Sequence, residues 1–564
     1  MPSTVFSFSE FTDSISQFAA VVPRILAKHH RTSDLAIELS DLITVAERPF
    51  TMAVVGQMRS GKSSLLNALV GRDLAVTGVN ETTATINWFK WGQGTQCDSF
   101  RVTWKDKPAE LYPLSEASNW IGDSENAKLT SFIEYYSDAS FLKTANIIDT
   151  PGTRSVLQDH TDTVRDFLAL DTEDGGESLG AKADAILYVL MPVARQNDAD
   201  FLKEFESSTR LPNCSAYNSI AVVHKWEVLG DSNASETVQD KVDRIRDSLS
   251  GLVSTVIAAS APLATAAVQF GDAFWTQILN FSKNSDASAV ADLLLLEDDF
   301  INYDGIKGCE LALSDRQALR NEYPIPWPCF KVICQVAGQE NVSNSADLRK
   351  AIHALSGIEE LNDTLHDRFF ARSKMIKHFS VLSKAWDPCQ IALGRLRQHE
   401  RILLNICSQA GQCRELIDGS APKTMLAYVE QTESIMQAEL ESVQSINKEL
   451  EAYVIRLTDS FSDMQADLKA IEALDDIAAD SDLPLDTLRR VCGAFGPEIE
   501  NRSSSFALFP NAVSAILDTL ELVRRRQLGA DRNLKDSLEH LVIRLEQLAD
   551  YFDELNDAKY IEDN

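Results

Sequence analysis

The octapeptide Gly56-Gln-Met-Arg-Ser-Gly-Lys-Ser63 constrains this chain more than any other stretch. A GxxxxGK[ST] pattern works as a loop only when a strand delivers the chain to its first glycine and a helix carries it away. Both flanks are present, the apolar run Thr51–Val55 before it and the apolar stretch Ser64–Val70 after it. Glycines at 56 and 61 free the backbone N–H groups of the loop and the first helical turn, Ser60, Gly61 and Ser64 among them, to wrap a phosphate. Lys62 then reaches the β- and γ-phosphates, and the Ser63 hydroxyl ligates Mg²⁺.

Around this loop, short apolar runs alternate with amphipathic helical stretches: Ile86–Phe89, Ala145–Ile148, Ala185–Leu190, Ile220–Val223 and Thr255–Ala258. The alternation predicts a mainly parallel sheet with helices on both faces. Residues 270–330 read as a helical insertion, Phe330–Val336 as one further strand, and Ala346–Phe370 as a closing helix. Asp149-Thr-Pro-Gly152 ends one strand, so Asp149 can hold the Mg²⁺ shell through water and the Gly152 N–H can sense a γ-phosphate. Between the two motifs lies Asn80-Glu-Thr-Thr-Ala-Thr85, where Thr83, in preference to Thr82, would close onto Mg²⁺ and the γ-phosphate. His224-Lys-Trp-Glu227 follows a strand at the place where a GTPase carries [NT]KxD. Lys225 can lie along a base and the Glu227 carboxylate can accept from guanine N1–H and N2–H, which favours GTP over ATP. Ser260-Ala261 fits a further base-contacting turn.

The ends of the chain are helical in pattern. Phe8, Phe11, Ile15, Phe18, Val22 and Ile25 share one helical face with a kink expected at Pro23, and a second helix is expected over Ser33–Glu47. From Leu426 to Ile471, positions 3 and 4 apart alternate through fourteen places, all apolar except Glu433 and Asn447. Leu534, Leu538, Leu541, Leu545, Leu548, Phe552 and Leu555 repeat the pattern. These runs predict an antiparallel helical stalk packed with Met375–Ile417, its polar heptad positions setting the register. The turn region 484–512 mixes aromatics with arginines and suits either a membrane or partner contact or a cap on the hairpin core.

Composition narrows the function classes. With 53 Lys+Arg against 84 Asp+Glu, a net charge of −31 disfavours nucleic-acid binding. Nine cysteines with no CxxC, and nine histidines with no HExxH, offer no sequence-local metal motif. Buried reduced thiols are expected, which points to the cytoplasm. No basic-then-apolar leader is visible, and the most apolar stretch, Leu252–Val268, is interrupted by Ser, Thr and Pro262.

Phosphate loop, Thr pair, DTPG, HKWE and Ser-Ala, in GTPase order within an enlarged α/β domain flanked by helices, resemble the dynamin superfamily, most closely bacterial dynamin-like proteins. The resemblance implies an α/β P-loop GTPase domain at 49–372 and N-terminal helices at 1–48 that pack on a neck. It further implies neck and ascending stalk helices at 373–475, a tip at 476–512 and a returning helix at 513–564. It carries GTP/GDP and Mg²⁺ to Lys62, Ser63, Thr83 and Asp149, and puts Thr153 where small GTPases keep a water-orienting Gln. Arg59 stands where guanylate-binding proteins have a catalytic arginine, and is otherwise a solvated loop side chain. G-domain self-association, a second dynamin-like partner and peripheral membrane contact follow as expectations. Two other readings are a nucleotide-gated scaffold that binds a protein partner, and a coiled-coil ATPase. The second is disfavoured because Leu355-Ser-Gly357 continues as Ile358-Glu359 with no acidic pair after a late strand.

Overall fold

The computed structural model describes residues 20–47, 49–57, 59–72, 85–116, 129–150, 183–192, 218–229, 238–249, 252–304, 306–370, 373–417, 422–479, 512–529 and 541–550, with single residues between. The chain falls into two units. One comprises Pro49–Thr209 and Ser215–Phe370; the other joins the chain ends, Met1–Arg48 and Ala371–Asn564, with Arg210–Cys214.

The first unit is built on nine strands: β1 (Thr51–Gly56), β2 (Asn87–Trp91), β3 (Ser99–Trp104), β4 (Glu110–Pro113), β5 (Thr130–Ser137), β6 (Asn146–Asp149), β7 (Ala185–Leu190), β8 (Ser219–His224) and β9 (Thr255–Ala259). They lie in the order β4-β3-β5-β2-β6-β1-β7-β8-β9. The run β6-β1-β7-β8-β9 is parallel throughout, and β2 joins it antiparallel to β6. Every residue of β1, β6, β7 and β8 is buried, as expected of strands covered on both faces. β1 is central, so the loop that leaves it opens at the carboxyl edge of the sheet, flanked by the ends of β6 and β7.

Three strands, β3, β4 and β5, lie outside the runs picked out from sequence. β3 alternates buried and more exposed positions, a one-sided pattern that a search for continuous apolar runs passes over. The strand expected over Phe330–Val336 is instead part of a helix, Trp327–Ala337. Its buried residues Cys329, Phe330, Ile333, Cys334, Val336 and Ala337 follow a helical period, and Pro328 sits in the first turn where its missing N–H costs nothing. The closing helix is two, Ser345–Leu355 and Ile358–Leu365, separated at Gly357. The helical insertion belongs to the core: Phe274, Trp275, Ile278, Phe281 and Phe300 are buried in one cluster with Tyr188 and Val223 of the sheet.

In the second unit, residues 20–27 form a helix that runs through Pro23, and Ser33–Glu47 is helical as expected. Two long helices follow, Ser373–Leu416 and Lys423–Ala479, the latter 57 residues and therefore about 85 Å long. They run antiparallel: Arg397 pairs with Glu451 and Arg414 with Glu433, so the chain reverses between them. The heptad seam is buried at Leu440, Val443, Asn447, Leu450, Val454 and Leu457. Both polar heptad positions reach across to the facing helix. Asn447 Nδ2 donates to Glu400 at 3.1 Å, and Glu433 accepts from Arg414 at 3.0 Å. A shift by one turn would strand these groups, which is how a polar seam position selects a register. Leu538, Leu541, Leu545 and Leu548 are buried, and Arg524 is paired with Glu546. Apart from Val491 and Ala512, the tip 484–512 lies outside the described residues.

Leu450 is fully buried while Ile455, five residues on, is 61% exposed. Leu450→Ala should destabilise the helical unit by about 2–5 kcal/mol and Ile455→Ala by under about 0.5 kcal/mol in denaturant titrations. Equal effects would mean that the seam is misplaced.

Candidate nucleotide site

The loop after β1 takes two left-handed turns, at Arg59 (φ 62°) and Gly61 (φ 90°), and the helix Lys62–Val70 starts immediately after. At Gly61 a side chain is excluded by space as well, since a Cβ would meet the His224 ring at 2.4 Å. The Lys62 ammonium is buried inside the loop and donates to the carbonyls of Gly56 (3.2 Å) and Gln57 (3.3 Å). Burial lowers its pKa, against the pull of Asp149. Ser63 Oγ donates to Asp149 Oδ2 at 2.8 Å, bringing together two of the three residues assigned to Mg²⁺ from sequence. Asp149 is fully buried, which raises its pKa; Lys62 and the Ser63 hydrogen bond oppose that rise. Its Oδ1 has no hydrogen-bond partner, and neither has the buried Ser60 hydroxyl. Ser64 follows in the first helical turn, half-buried, and the Arg59 side chain is exposed.

His224, which replaces the Asn or Thr of the usual pattern, is a clamp. Its Nδ1 lies 2.8 Å from the Ser60 carbonyl, and its Nε2 accepts from the Ala261 N–H at 3.4 Å. Those partners fix the neutral ring with the proton on Nδ1. One buried side chain thus ties the phosphate loop to the turn after β9. Beside it Lys225, itself left-handed (φ 60°), donates from Nζ to the Arg59 carbonyl at 3.1 Å. Glu227 is buried at the start of a short 3₁₀ turn, Trp226–Leu229. Its Oε1 accepts from the Cys329 thiol at 3.1 Å, while its Oε2 is buried without a hydrogen-bond partner. Ser260 is buried, caps the helix Ala261–Gln269 by accepting from the Leu263 N–H, and is held from behind by donating its own N–H to the Ser356 carbonyl at 2.8 Å. Gly357 closes that support; at φ 70°, a Cβ there would meet the Ala258 carbonyl at 2.1 Å.

The structure therefore brings Gly56, Arg59, Ser60, Gly61, Lys62, Ser63, Ser64 and Asp149 together on one side of the site, with Lys225, Glu227 and Ser260 on the other. Thr82, Thr83, Gly152 and Thr153 lie outside the described residues. Three buried oxygens without partners, on Ser60, Asp149 and Glu227, fit a ligand that supplies donors or a cation. Cys329 escaped the sequence reading, because the strand assigned to Phe330–Val336 hid the helix that carries it. Burial and the Glu227 carboxylate push its thiol pKa up, so the proton stays on sulfur and the thiol remains the donor.

Burial, helped by Lys225, pushes His224 from its ordinary 6.5 down to about 4. Between those values the unfolded chain takes up a proton that the folded chain refuses, so stability is lost as pH falls through that window. His224→Asn should flatten this loss in melting curves taken across the window. An unchanged pH profile would remove His224 as its source.

Residues 52–212 match the model of the Dynamin family. Among curated proteins, one encoded in the xynA 3′ region of Caldicellulosiruptor sp. (strain Rt8B.4), uncharacterised, is 26% identical over 207 residues, 36% of this chain and 46% of that protein. Dynamin-like protein 2 of Campylobacter jejuni is 25% identical over 135 residues, 24% of this chain and 22% of its own length. The matches thus span less than half of either relative. A solved chain from an oligomerised bacterial dynamin pair, described as providing a mechanism for long-range sensing and tethering of membranes, aligns with 97% of this chain and 80% of its own, at 17% identity and a TM-score of 0.33. The phosphate loop and Asp149 fall within the family match, whereas His224, Glu227 and Ser260 lie beyond it. Residues 52–212 therefore carry a Dynamin-family domain.

Proposed function

We propose that this protein hydrolyses GTP to GDP and phosphate, and that nucleotide-dependent pairing of its G domains drives movement of the helical unit to tether or remodel a membrane. The carrying observation is the Glu227 carboxylate, buried with Oε2 free of any hydrogen-bond partner. Guanine offers two adjacent donors, N1–H and N2–H, whereas adenine presents an acceptor at N1. A buried acceptor of this kind therefore selects guanine, and leaving it unmatched by adenine carries a desolvation cost of about 1–3 kcal/mol. Cys329 positions the carboxylate from below, and the Lys225 stem lies beside the loop that carries the phosphates.

On the phosphate side, Lys62 places its charge where the β- and γ-phosphates meet the loop. Ser63, with Asp149 through water and Thr83 from its loop, would hold Mg²⁺; bound there, the ion neutralises phosphate charge. Arg59 is proposed as the group that meets charge developing on the γ-phosphate, a role its exposed side chain next to Ser60 permits. Gly152 and Ser260 are proposed as contacts to the γ-phosphate and base. The membrane half of the proposal rests on the family. No helix among the described residues is long and apolar enough to cross a membrane, so contact would be peripheral, through the tip 484–512. A second dynamin-like chain is a proposed partner.

Steady-state turnover of GTP and ATP, over a range of protein concentrations with and without anionic liposomes, tests the reading. GTP turnover per molecule should rise with concentration, and Lys62→Ala should lower it at least ~100-fold. Equal use of ATP would discard the base assignment. Nucleotide binding without turnover under every condition would favour the nucleotide-gated scaffold. Glu227→Gln exchanges an acceptor for a donor, and should weaken use of GTP roughly 10–100-fold while improving use of xanthosine triphosphate, whose C2 oxygen accepts. Liposome flotation that is unchanged in Phe506→Asp and Phe509→Asp would remove the tip as the membrane contact.

A further inference from the structure

We propose that His29, His399 and Glu439 form a site for a divalent transition-metal ion of the zinc type within the helical unit. The three residues come from separate segments. His29 lies in the turn after the helix at 20–27, His399 in the middle of Ser373–Leu416, and Glu439 on Lys423–Ala479. One nitrogen from each ring and one carboxylate oxygen lie within 4.8 Å of one another. His399 Nε2 is 3.2 Å from Glu439 Oε1, and His29 Nε2 is 3.8 Å from the same oxygen. A tetrahedral ion with bonds of about 2.0 Å needs its ligand atoms about 3.3 Å apart. Two of the three separations lie near that requirement and the third is within 4.8 Å, so binding an ion draws the three side chains together.

Unmet polar capacity marks the same spot. Both rings are more than nine-tenths buried, and His29 Nε2 and His399 Nδ1 have no hydrogen-bond partner. The two ring centroids lie 5.3 Å apart. Binding at His29 Nε2 would move that ring's proton to Nδ1 and displace one long bond, from the Arg31 N–H at 3.2 Å. Glu439 is 39% exposed and leaves a path from solvent. His30, exposed with its ring 4.4 Å from that of His29, or a water, can complete four ligands. Two imidazoles and a carboxylate suit Zn²⁺ or Co²⁺ over Mg²⁺ or Ca²⁺. The site is flanked by Lys28–Glu449 and Asp34–Arg395, so the ion would staple the N-terminal segment to both long helices.

The test is titration of chelator-treated full chain with Co²⁺, read by visible ligand-field bands, then displacement by Zn²⁺. One Co²⁺ per chain should bind with tetrahedral-type bands, and Zn²⁺ should bleach them and raise the melting temperature. His399→Gln should lose at least ~10-fold in affinity. Glu439→Gln, at a half-exposed position where the fold is expected to survive, should do the same with an unchanged far-UV circular dichroism spectrum. Absence of a saturable band overturns the proposal. So does equal binding by wild type and both variants, or an intense thiolate charge-transfer band, which would place the ion on cysteine. None of these outcomes depends on hydrolysis of nucleotide.

Discussion

The hydrogen bonds of the His224 ring hold the site together. The phosphate loop and the turn proposed to read the base follow different strands and must keep a fixed separation if one ligand is to touch both. In this chain the fixed piece is a single imidazole, which engages the Ser60 carbonyl through one nitrogen and the Ala261 N–H through the other. The ring also fills the space above Gly61, so the glycine and the histidine require each other. Asn or Thr would span less distance and fill less volume, and the loop would have to move to meet them. Charging the ring would turn its acceptor nitrogen into a donor facing the Ala261 N–H and undo the link.

The proposed base side is supported by residues from late in the domain. Glu227 is one methylene longer than the aspartate of the usual pattern, and its carboxylate is steadied by Cys329 from the helix Trp327–Ala337. The turn carrying Ser260 is braced by Ser356 and Gly357, which belong to the closing helices. Elements late in the domain therefore hold Glu227 and Ser260 in place. That helix is packed into the main cluster through Phe330, Ile333 and Cys334. The proposed base contact and the core packing are accordingly linked through one short helix.

How much of this was legible depended on how local the signal is. The phosphate loop, Asp149 and the central strands were readable, because each is a continuous stretch with one physical meaning. Continuous apolar runs announce strands buried on both faces, while β3 declares only one face and was passed over. Phe330–Val336 misled because its aromatic and β-branched residues favour a strand; Lys331 and Gln335, four apart, were the available sign of a helix. The role of His224 had no sequence signature, since it depends on where the Ser60 carbonyl and the Ala261 N–H sit in space. Cys329 and the cluster of His29, His399 and Glu439 were equally invisible, being assembled across hundreds of residues.

That long-range assembly has a consequence for biosynthesis. Lys28 pairs with a partner 421 positions away and Arg395 with one 361 positions away, and both contacts close the same helical unit. During translation the N-terminal segment leaves the ribosome first, yet its partners appear only after the whole α/β domain has been made. Residues 20–40 must wait with an unsatisfied apolar face that includes the buried Val22, Ile25, Leu26 and Leu39. This early segment is thus among the last to reach its native contacts.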